Sequence, residues 1–236
     1  MKRALIIGII GLLAHTLSAA ESGPKDKVAS ATKQLAEKSN YSWTTSTKEA
    51  DGSQGRMGPI EGKAAKDGLT YLSFTISEVP VEVYMNGQKG TAKALEGWQS
   101  FDDISQTSGT AAAIVRYLRS YKAPAAESAD LSAKVKDLKE ADGVLSGDLK
   151  EDAVKELLLR GARRREGDEA PKIADAKGSI KFWMKDGALT KYESNIQGKV
   201  TAGDRDTDIN RTITVEIKDA GTTKVEVPAE AKEKMT

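Results

Sequence analysis

Alternating apolar and polar positions dominate the stretch from Ser179 to Val227 and predict a β-meander. Three long runs and a short fourth run follow one another, and Asp186-Gly187 separates the first two. Asp-Gly is a strong signal for a two-residue hairpin turn, because both central residues of that turn have positive φ. Pro228 ends the last run. Such a meander does not fold alone, so the rest of the chain must supply more sheet and a cover for its apolar face.

A second group of strand-like runs lies in the first half of the chain. The runs are rich in β-branched and aromatic residues, and Asp67-Gly68 and Asn86-Gly87 mark hairpin turns between them. The glycine-rich residues 51–58 predict a flexible loop. The predicted strands are 41–48, 60–66, 69–77, 81–85 and 89–95.

Three segments have the apolar spacing of amphipathic helices. Two of them are 25–38 and 110–122, and the third runs from about Asp148 to Arg160. Asp148 precedes Glu151 by three residues, which is close to the spacing of a capping box. These helices have the right number and length to cover one face of a sheet.

The segments between and after these elements are less regular. Residues 123–130 are small and predict a link, and 131–140 with 144–145 predict a hairpin around Asp142-Gly143. Alanine and lysine in 131–140 keep a helix open as the alternative there. Residues 162–177 are charged and predict a loose connection, and 229–236 predict a polar tail.

The order of elements predicts an α+β fold. Many hairpins and few crossovers indicate one large antiparallel sheet. We expect this sheet to be curved, as an open half-barrel, with the helices covering its concave face.

The first twenty residues have the pattern of a secretory signal peptide. Lys2 and Arg3 precede an apolar run that ends at Leu17, and small residues lead to an expected cleavage after Ala20. The apolar run is too short to span a bilayer, which needs about 20 residues. We therefore expect one mature domain, 21–236, in the periplasm or outside the cell, with no membrane-spanning segment.

The composition excludes several kinds of chemistry. The chain has no cysteine, and its single histidine is His15, inside the expected leader. A mature chain without these residues has no Ser-His-Asp triad, no cysteine nucleophile and no ordinary zinc site. Removal of the leader leaves 34 basic and 35 acidic residues. This balance does not favour nucleic-acid binding, which needs a basic excess or stripe. We expect no cofactor and no enzymatic activity.

Two short motifs partly match known patterns, one for calcium binding and one for a serine nucleophile. Asp204, Asp206 and Asp208 alternate as calcium ligands do, but the loop lacks the glycine and glutamate that a twelve-residue calcium loop requires. A solvent-exposed hairpin tip is the better interpretation, and calcium binding stays open. Ser30 and Lys33 form S-x-x-K without the companion motifs of penicillin-binding enzymes.

A cluster of basic residues follows the third predicted helix. Cations are favoured at a helix C-terminus, so a solvated cap explains the cluster. Contact with an anionic lipid headgroup or an acidic partner is the alternative. The cluster consists of Arg160, Arg163, Arg164 and Arg165.

Several stretches resemble the LolA-like group, which includes lipoprotein carriers and LppX-type lipid-binding proteins. They are Tyr41–Trp43, Tyr84–Trp98, the hairpin from Phe182 to Tyr192, and the closing residues Val225 to Ala231. The resemblance implies a strongly bent antiparallel sheet with helices in its hollow. It also implies binding of a hydrophobic ligand, such as a lipid or lipoprotein acyl chain, between sheet and helices.

Two functions are compatible with these observations. The first is a periplasmic protein that carries or senses a hydrophobic ligand without chemistry. The second is a protein-interaction module of the same fold with a filled core, which would bind an envelope protein. A hydrolase that uses paired carboxylates is a minor third possibility. The residues expected to face the ligand are Trp43, Phe74, Ile114, Leu118, Leu157, Leu158, Phe182, Met184, Tyr192 and Ile196.

Overall fold

The computed structural model describes residues 23–51, 53, 57–94, 97–160 and 169–235, which form eleven strands and six helices. The expected leader, part of the predicted loop 51–58, and Arg163 to Arg165 lie outside these residues. The strands are β1 (Asn40–Glu49), β2 (Ile60–Ala65), β3 (Leu69–Ile76), β4 (Val79–Asn86), β5 (Lys89–Ala94), β6 (Gly97–Ser100), β7 (Lys139–Ala141), β8 (Val144–Asp148), β9 (Lys172–Lys185), β10 (Ala188–Ala202) and β11 (Arg205–Lys218). The helices are α1 (Pro24–Glu37), α2 (Phe101–Gln106), α3 (Thr110–Arg119), α4 (Pro124–Ala133), α5 (Glu151–Leu159) and α6 (Ala229–Lys234).

All the strands belong to one antiparallel sheet that does not close. Its order is β6-β5-β4-β3-β2-β1-β11-β10-β9-β8-β7, so the first and last strands of the chain pair with each other in the middle of the sheet. The two edge strands have only four and three residues. Short edges offer little unpaired backbone to another sheet, which limits edge-to-edge association.

The predicted α+β class is confirmed, with most of the helices packed on one face of the sheet. Along β3, Leu72 and Phe74 are buried whereas Tyr71 and Ser73 are only half-buried, which is the alternation of a strand with one covered face. Helix α5 packs against β9 and β10, and α1 packs against α4 and β10. The hydrophobic core lies between this helical layer and the sheet.

The predicted hairpin turns are present. Asp186 and Gly187 have φ of 52° and 76°, and Asp142 and Gly143 have φ of 52° and 74°, as two-residue turns between twisted strands require. A further turn of this kind joins β3 to β4 at Ser77 and Glu78, which also have positive φ without a glycine. That turn has no signal in the sequence.

The interpretation of 123–140 was partly wrong. Residues 124–133 form helix α4 instead of a link followed by a strand. Pro124 occupies the first turn, where its fixed φ suits a helix and its missing N–H is no loss. Ala125, Ser128 and Leu131 are buried at helical spacing, which is the alternative that alanine and lysine in 131–140 left open.

Two boundaries in the second half differ from the prediction. Asp148 does not cap α5, because it is the last residue of β8 and Lys150 occupies the cap position. Strand β9 starts at Lys172, within the segment predicted to be loose. Its first residues pair with the far end of the long β10, beyond a bulge between Gln197 and Lys199.

The sequence predicts a polar tail over 229–236, but most of this segment forms a helix that packs on the sheet. The predicted short strand over 222–227 does not form, and these residues run without regular structure to α6. Helix α6 packs on β5 and β6, with Ala231 completely buried. Thr91 on β5 is also fully buried, although its side chain points away from the core-facing Ala92. The outer face of the sheet is therefore covered at this edge.

Candidate functional site

The residues predicted to face a ligand lie in the core. Eight of the ten are buried, and Ile114 and Met184 are partly buried and pack against them. They fill the interior between the sheet and the helices, and Phe182 and Tyr192 are among its largest fully buried side chains. Their contact with a ligand stays a prediction.

A polar cluster links the helical layer to the sheet inside this core. Glu127 on α4 accepts a hydrogen bond from the Tyr192 hydroxyl at 2.8 Å and one from Arg160 at 2.7 Å. Burial, together with the charge of Glu127, raises the pKa of Tyr192 well above its ordinary value. The tyrosine therefore stays a neutral donor. No pattern in the sequence predicts that these three residues meet, because Arg160 and Tyr192 lie 33 and 65 residues from Glu127.

The interior contains a second polar contact beside the first strand. The Trp43 indole N–H donates to the Tyr121 hydroxyl at 3.1 Å. Burial raises the pKa of Tyr121 well above its ordinary value, so this hydroxyl also stays neutral. The Trp43 ring lies directly over Gly62 on β2, where any side chain would overlap the indole.

An open groove of about 750 Å³ lies between α1, α4 and the β2–β3 hairpin. We call it the alanine groove, because nine of its lining residues are alanines. Tyr41, Thr32, Thr70, Gly68 and Ser132 also line it, and Lys25, Asp26, Lys33, Lys38 and Lys66 carry its charges. The alanines are Ala29, Ala36, Ala64, Ala65, Ala123, Ala125, Ala126, Ala129 and Ala133.

The two helices position the alanines by their periodicity. Ala29 and Ala36 are two turns apart on α1, and Ala126, Ala129 and Ala133 follow the same spacing on α4. These five side chains are exposed. Because alanine extends only one carbon beyond the backbone, the facing helices leave an elongated, largely apolar space between them.

A smaller apolar recess of about 380 Å³ lies between β4, β5 and the α2–α3 pair. Ile104, Ala111, Ile114 and Val115 line its helical side, and Val81 lies on its sheet side. Of the ten residues predicted to face a ligand, Ile114 is the one that lines either this recess or the alanine groove.

The short motifs lie on the surface. Asp206 is paired with Lys199 at 2.7 Å and accepts a hydrogen bond from Thr201. Within the described ranges, no group of three or more histidine, cysteine or carboxylate side chains is arranged to hold a metal. Ser30 is exposed on α1 and accepts a hydrogen bond from Gln34.

No helix in the described part of the chain combines the length and the apolar character that crossing a bilayer requires.

No model of a known protein family matches the sequence, and no curated protein matches it. Among solved structures, the chain is similar to LprF from Mycobacterium bovis, with 10% identity and a TM-score of 0.48 over 88% of this chain and 97% of that one. It is similar to the lipoprotein LppX from Mycobacterium tuberculosis, with 10% identity and a TM-score of 0.45 over 87% and 98%. A DUF1329 family protein from Desulfovibrio piger gives 8% identity and a TM-score of 0.30 over 83% and 90%.

LppX, which belongs to the group that the sequence resembles, is among the solved structures to which this chain is similar. The likeness concerns the fold alone. At these identities it transfers neither a ligand nor an activity.

Proposed function

We propose that this protein is a non-catalytic, extracytoplasmic binding protein that holds the apolar chain of a hydrophobic ligand in the alanine groove. The observation that carries the proposal is the groove itself, an apolar channel with small side chains on both helical walls. Its volume of about 750 Å³ lies in the range of small-molecule sites. The proposal involves no reaction at the bound molecule.

The energy for binding would come from removal of apolar surface from water. The exposed methyl groups of Ala29, Ala126 and Ala129 contribute apolar surface on both walls of the groove. Each buried methylene of a ligand chain contributes roughly 0.8 kcal/mol. A chain lying along the groove would therefore bind through many small contacts and few directed ones.

The ten core residues have a supporting role in this proposal. They fix the sheet and the helices whose outer surfaces form the groove. Tyr41 connects the two regions, because its ring lies 5.5 Å from that of Trp43 and also lines the groove. Ile114 lines the smaller apolar recess between β4, β5 and the α2–α3 pair.

Titration of the purified, delipidated protein with a straight-chain alcohol tests this proposal. An uncharged headgroup restricts the measurement to the apolar chain. We expect saturable binding by calorimetry, and we expect Ala129→Trp, which fills the groove, to weaken it by about tenfold or more. Ala113→Trp is the matched control, because Ala113 is an exposed helical alanine on α3 that does not line the groove. Absence of binding, or equal binding by both variants, contradicts the proposal.

The location of the protein has a separate test. We propose that residues 1–20 direct export and are removed. N-terminal sequencing of the exported protein is then expected to start at Glu21. An exported protein that still begins at residue 1 contradicts the cleavage.

Burial of residues that were expected to face a ligand supports a second candidate function, which is binding of an envelope protein. Tyr192, Phe182 and Leu118 are among these residues and are fully buried. Affinity capture from envelope extract separates the two functions. A stoichiometric protein partner, together with no bound alcohol, favours the interaction module.

A further inference from the structure

The alanine groove has two chemically different ends, which follow from the antiparallel arrangement of α1 and α4. The Lys25 ammonium on the first turn of α1 donates to the carbonyl of Lys136, just after α4 ends. At the other end, the Ala125 N–H on the first turn of α4 donates to the Tyr41 hydroxyl, just after α1 ends. The groove therefore runs from the start of α1 to the region where α1 leads into β1.

Two lysines lie at the second end. Lys38 follows the last residue of α1, and Lys66 lies in the turn after β2. In the antiparallel pairing of β1 with β2, Asn40 is opposite Ala65, so both lysines extend from the same end of that pair. Both line the groove and are exposed.

The ammonium groups of Lys38 and Lys66 form no ion pair and no hydrogen bond within the described residues. Their acidic chain neighbours, Glu37 and Asp67, do not line the groove. Lys33, by contrast, lies 3.9 Å from Glu37.

The helix dipoles do not change the sign of the charge at the end of the groove where the two lysines lie. The C-terminus of α1 and the N-terminus of α4 both point toward it, and their partial charges are opposite. Lys38 and Lys66 are therefore the charged side chains that line this end of the groove. A positive end on an apolar groove is complementary to a molecule with an anionic head and an apolar tail.

We propose that the alanine groove selects an anionic amphiphile, whose chain lies between α1 and α4 and whose carboxylate or phosphate head contacts Lys38 and Lys66. This inference rests on the proposed function, because it names the class of ligand for the same groove. It predicts selectivity for headgroup charge, which burial of an apolar chain alone does not produce.

The test compares three ligands of equal chain length below their micelle concentrations: an alkyl carboxylate, an alkyl phosphate and the uncharged alcohol. We expect the wild-type protein to bind one or both anions about tenfold more tightly than the alcohol at low salt. High salt should reduce this preference, because exposed charges are screened. The tighter anion distinguishes a fatty acid from a phosphate-bearing lipid, and preference for either supports the inference.

Variants of Lys38 and Lys66 test whether these lysines cause the preference for an anionic headgroup. We expect the double variant Lys38→Met and Lys66→Met to lose the preference, so that it binds the anions and the alcohol with similar affinity. Arginine at both positions should keep it. Lys89→Met is the matched control, because Lys89 is exposed, lies in another hairpin and does not line the groove.

The outcomes separate this inference from the proposed function. Equal wild-type affinity for the alcohol and both anions overturns the inference and leaves the proposed function standing. A preference that survives in the double methionine variant also overturns it. Failure of the uncharged alcohol to bind overturns the proposed function.

Discussion

The carboxylate of Glu127 accepts a hydrogen bond from the hydroxyl of Tyr192 at 2.8 Å, and this contact joins helix α4 to the central part of the sheet. Arg160, which follows α5, donates to the other carboxylate oxygen of Glu127 at 2.7 Å. A single partly buried acid therefore connects two helices and a strand. Because α4 is also one wall of the alanine groove, this contact holds that wall in place.

Removal of the Tyr192 hydroxyl is expected to destabilise the fold. Tyr192→Phe removes one hydrogen-bond donor from the partly buried carboxylate of Glu127. Hydrogen bonds to charged groups contribute roughly 1.5–3 kcal/mol, and we expect a loss of that size in the free energy of unfolding by urea. Tyr84→Phe is the control, because the Tyr84 ring is buried but its hydroxyl has no hydrogen bond within the described residues. Equal losses in both variants would contradict this account.

Gly62 is expected to be intolerant of a side chain. The Trp43 indole occupies the position of a Cβ atom at this residue, so Gly62→Ala forces the ring away from Tyr121. Overpacking of this kind costs roughly 1–3 kcal/mol of stability. The measurement is a double-mutant cycle by urea unfolding with Trp43→Phe. We expect the cost of Gly62→Ala to be smaller in the Trp43→Phe background, and an unchanged cost would show that the indole is not the cause.

Asp130 is expected to contribute stability that acid removes. Burial raises the pKa of this carboxylate, but the hydrogen bonds and charges of Lys122 and Lys134 outweigh that effect and lower it overall. A group with a lowered folded-state pKa stabilises above its unfolded pKa of about 4, and this stability is lost as pH falls through the folded-state pKa. We expect Asp130→Asn to cost roughly 0.5–1 kcal/mol at neutral pH.

The check for Asp130 is urea unfolding at neutral and strongly acidic pH. The difference between wild type and Asp130→Asn should shrink in acid. Glu233→Gln is the control, since that carboxylate is exposed and forms no ion pair within the described residues. A difference that is the same at both pH values would exclude the assigned role.

Helix α6 is expected to be part of the stable fold. Ala231 is completely buried against β5 and β6, so Ala231→Asp places an unpaired carboxylate in an apolar contact. We expect a loss of roughly 2 kcal/mol or more in the free energy of unfolding. Ala229→Asp is the matched control, because Ala229 is exposed at the start of the same helix, where an acid is favourable. Equal stability of the two variants would show that α6 does not pack in solution.

The predictable part of the fold depended on local signals. Asp186-Gly187 and Asp142-Gly143 readily adopt the positive φ that two-residue turns require, so the hairpins that contain these turns were predictable. The turn at Ser77 and Glu78 was not, because neither residue type favours positive φ and the pairing of β3 with β4 imposes it.

The candidate site was less predictable than the fold. Glu127 lies in a segment whose small residues predicted a link between elements. Its partners Arg160 and Tyr192 lie 33 and 65 residues away in the chain. The alanine groove exists because large side chains are missing. A pattern search for apolar faces does not detect such a feature, although the spacing of Ala126, Ala129 and Ala133 was visible in the sequence.

The pairing of β1 with β11 has a consequence for the order in which the molecule folds. Ser42 contacts Lys218, which is 176 residues away, in the middle of the sheet. During synthesis the two halves of the sheet can each start to form hairpins, but they cannot join until nearly the whole chain has emerged. Contacts of such long separation slow folding, because a large loop must close before they form. The nascent chain therefore spends its synthesis in an incompletely folded state, which is the form that a channel for unfolded polypeptides can accept.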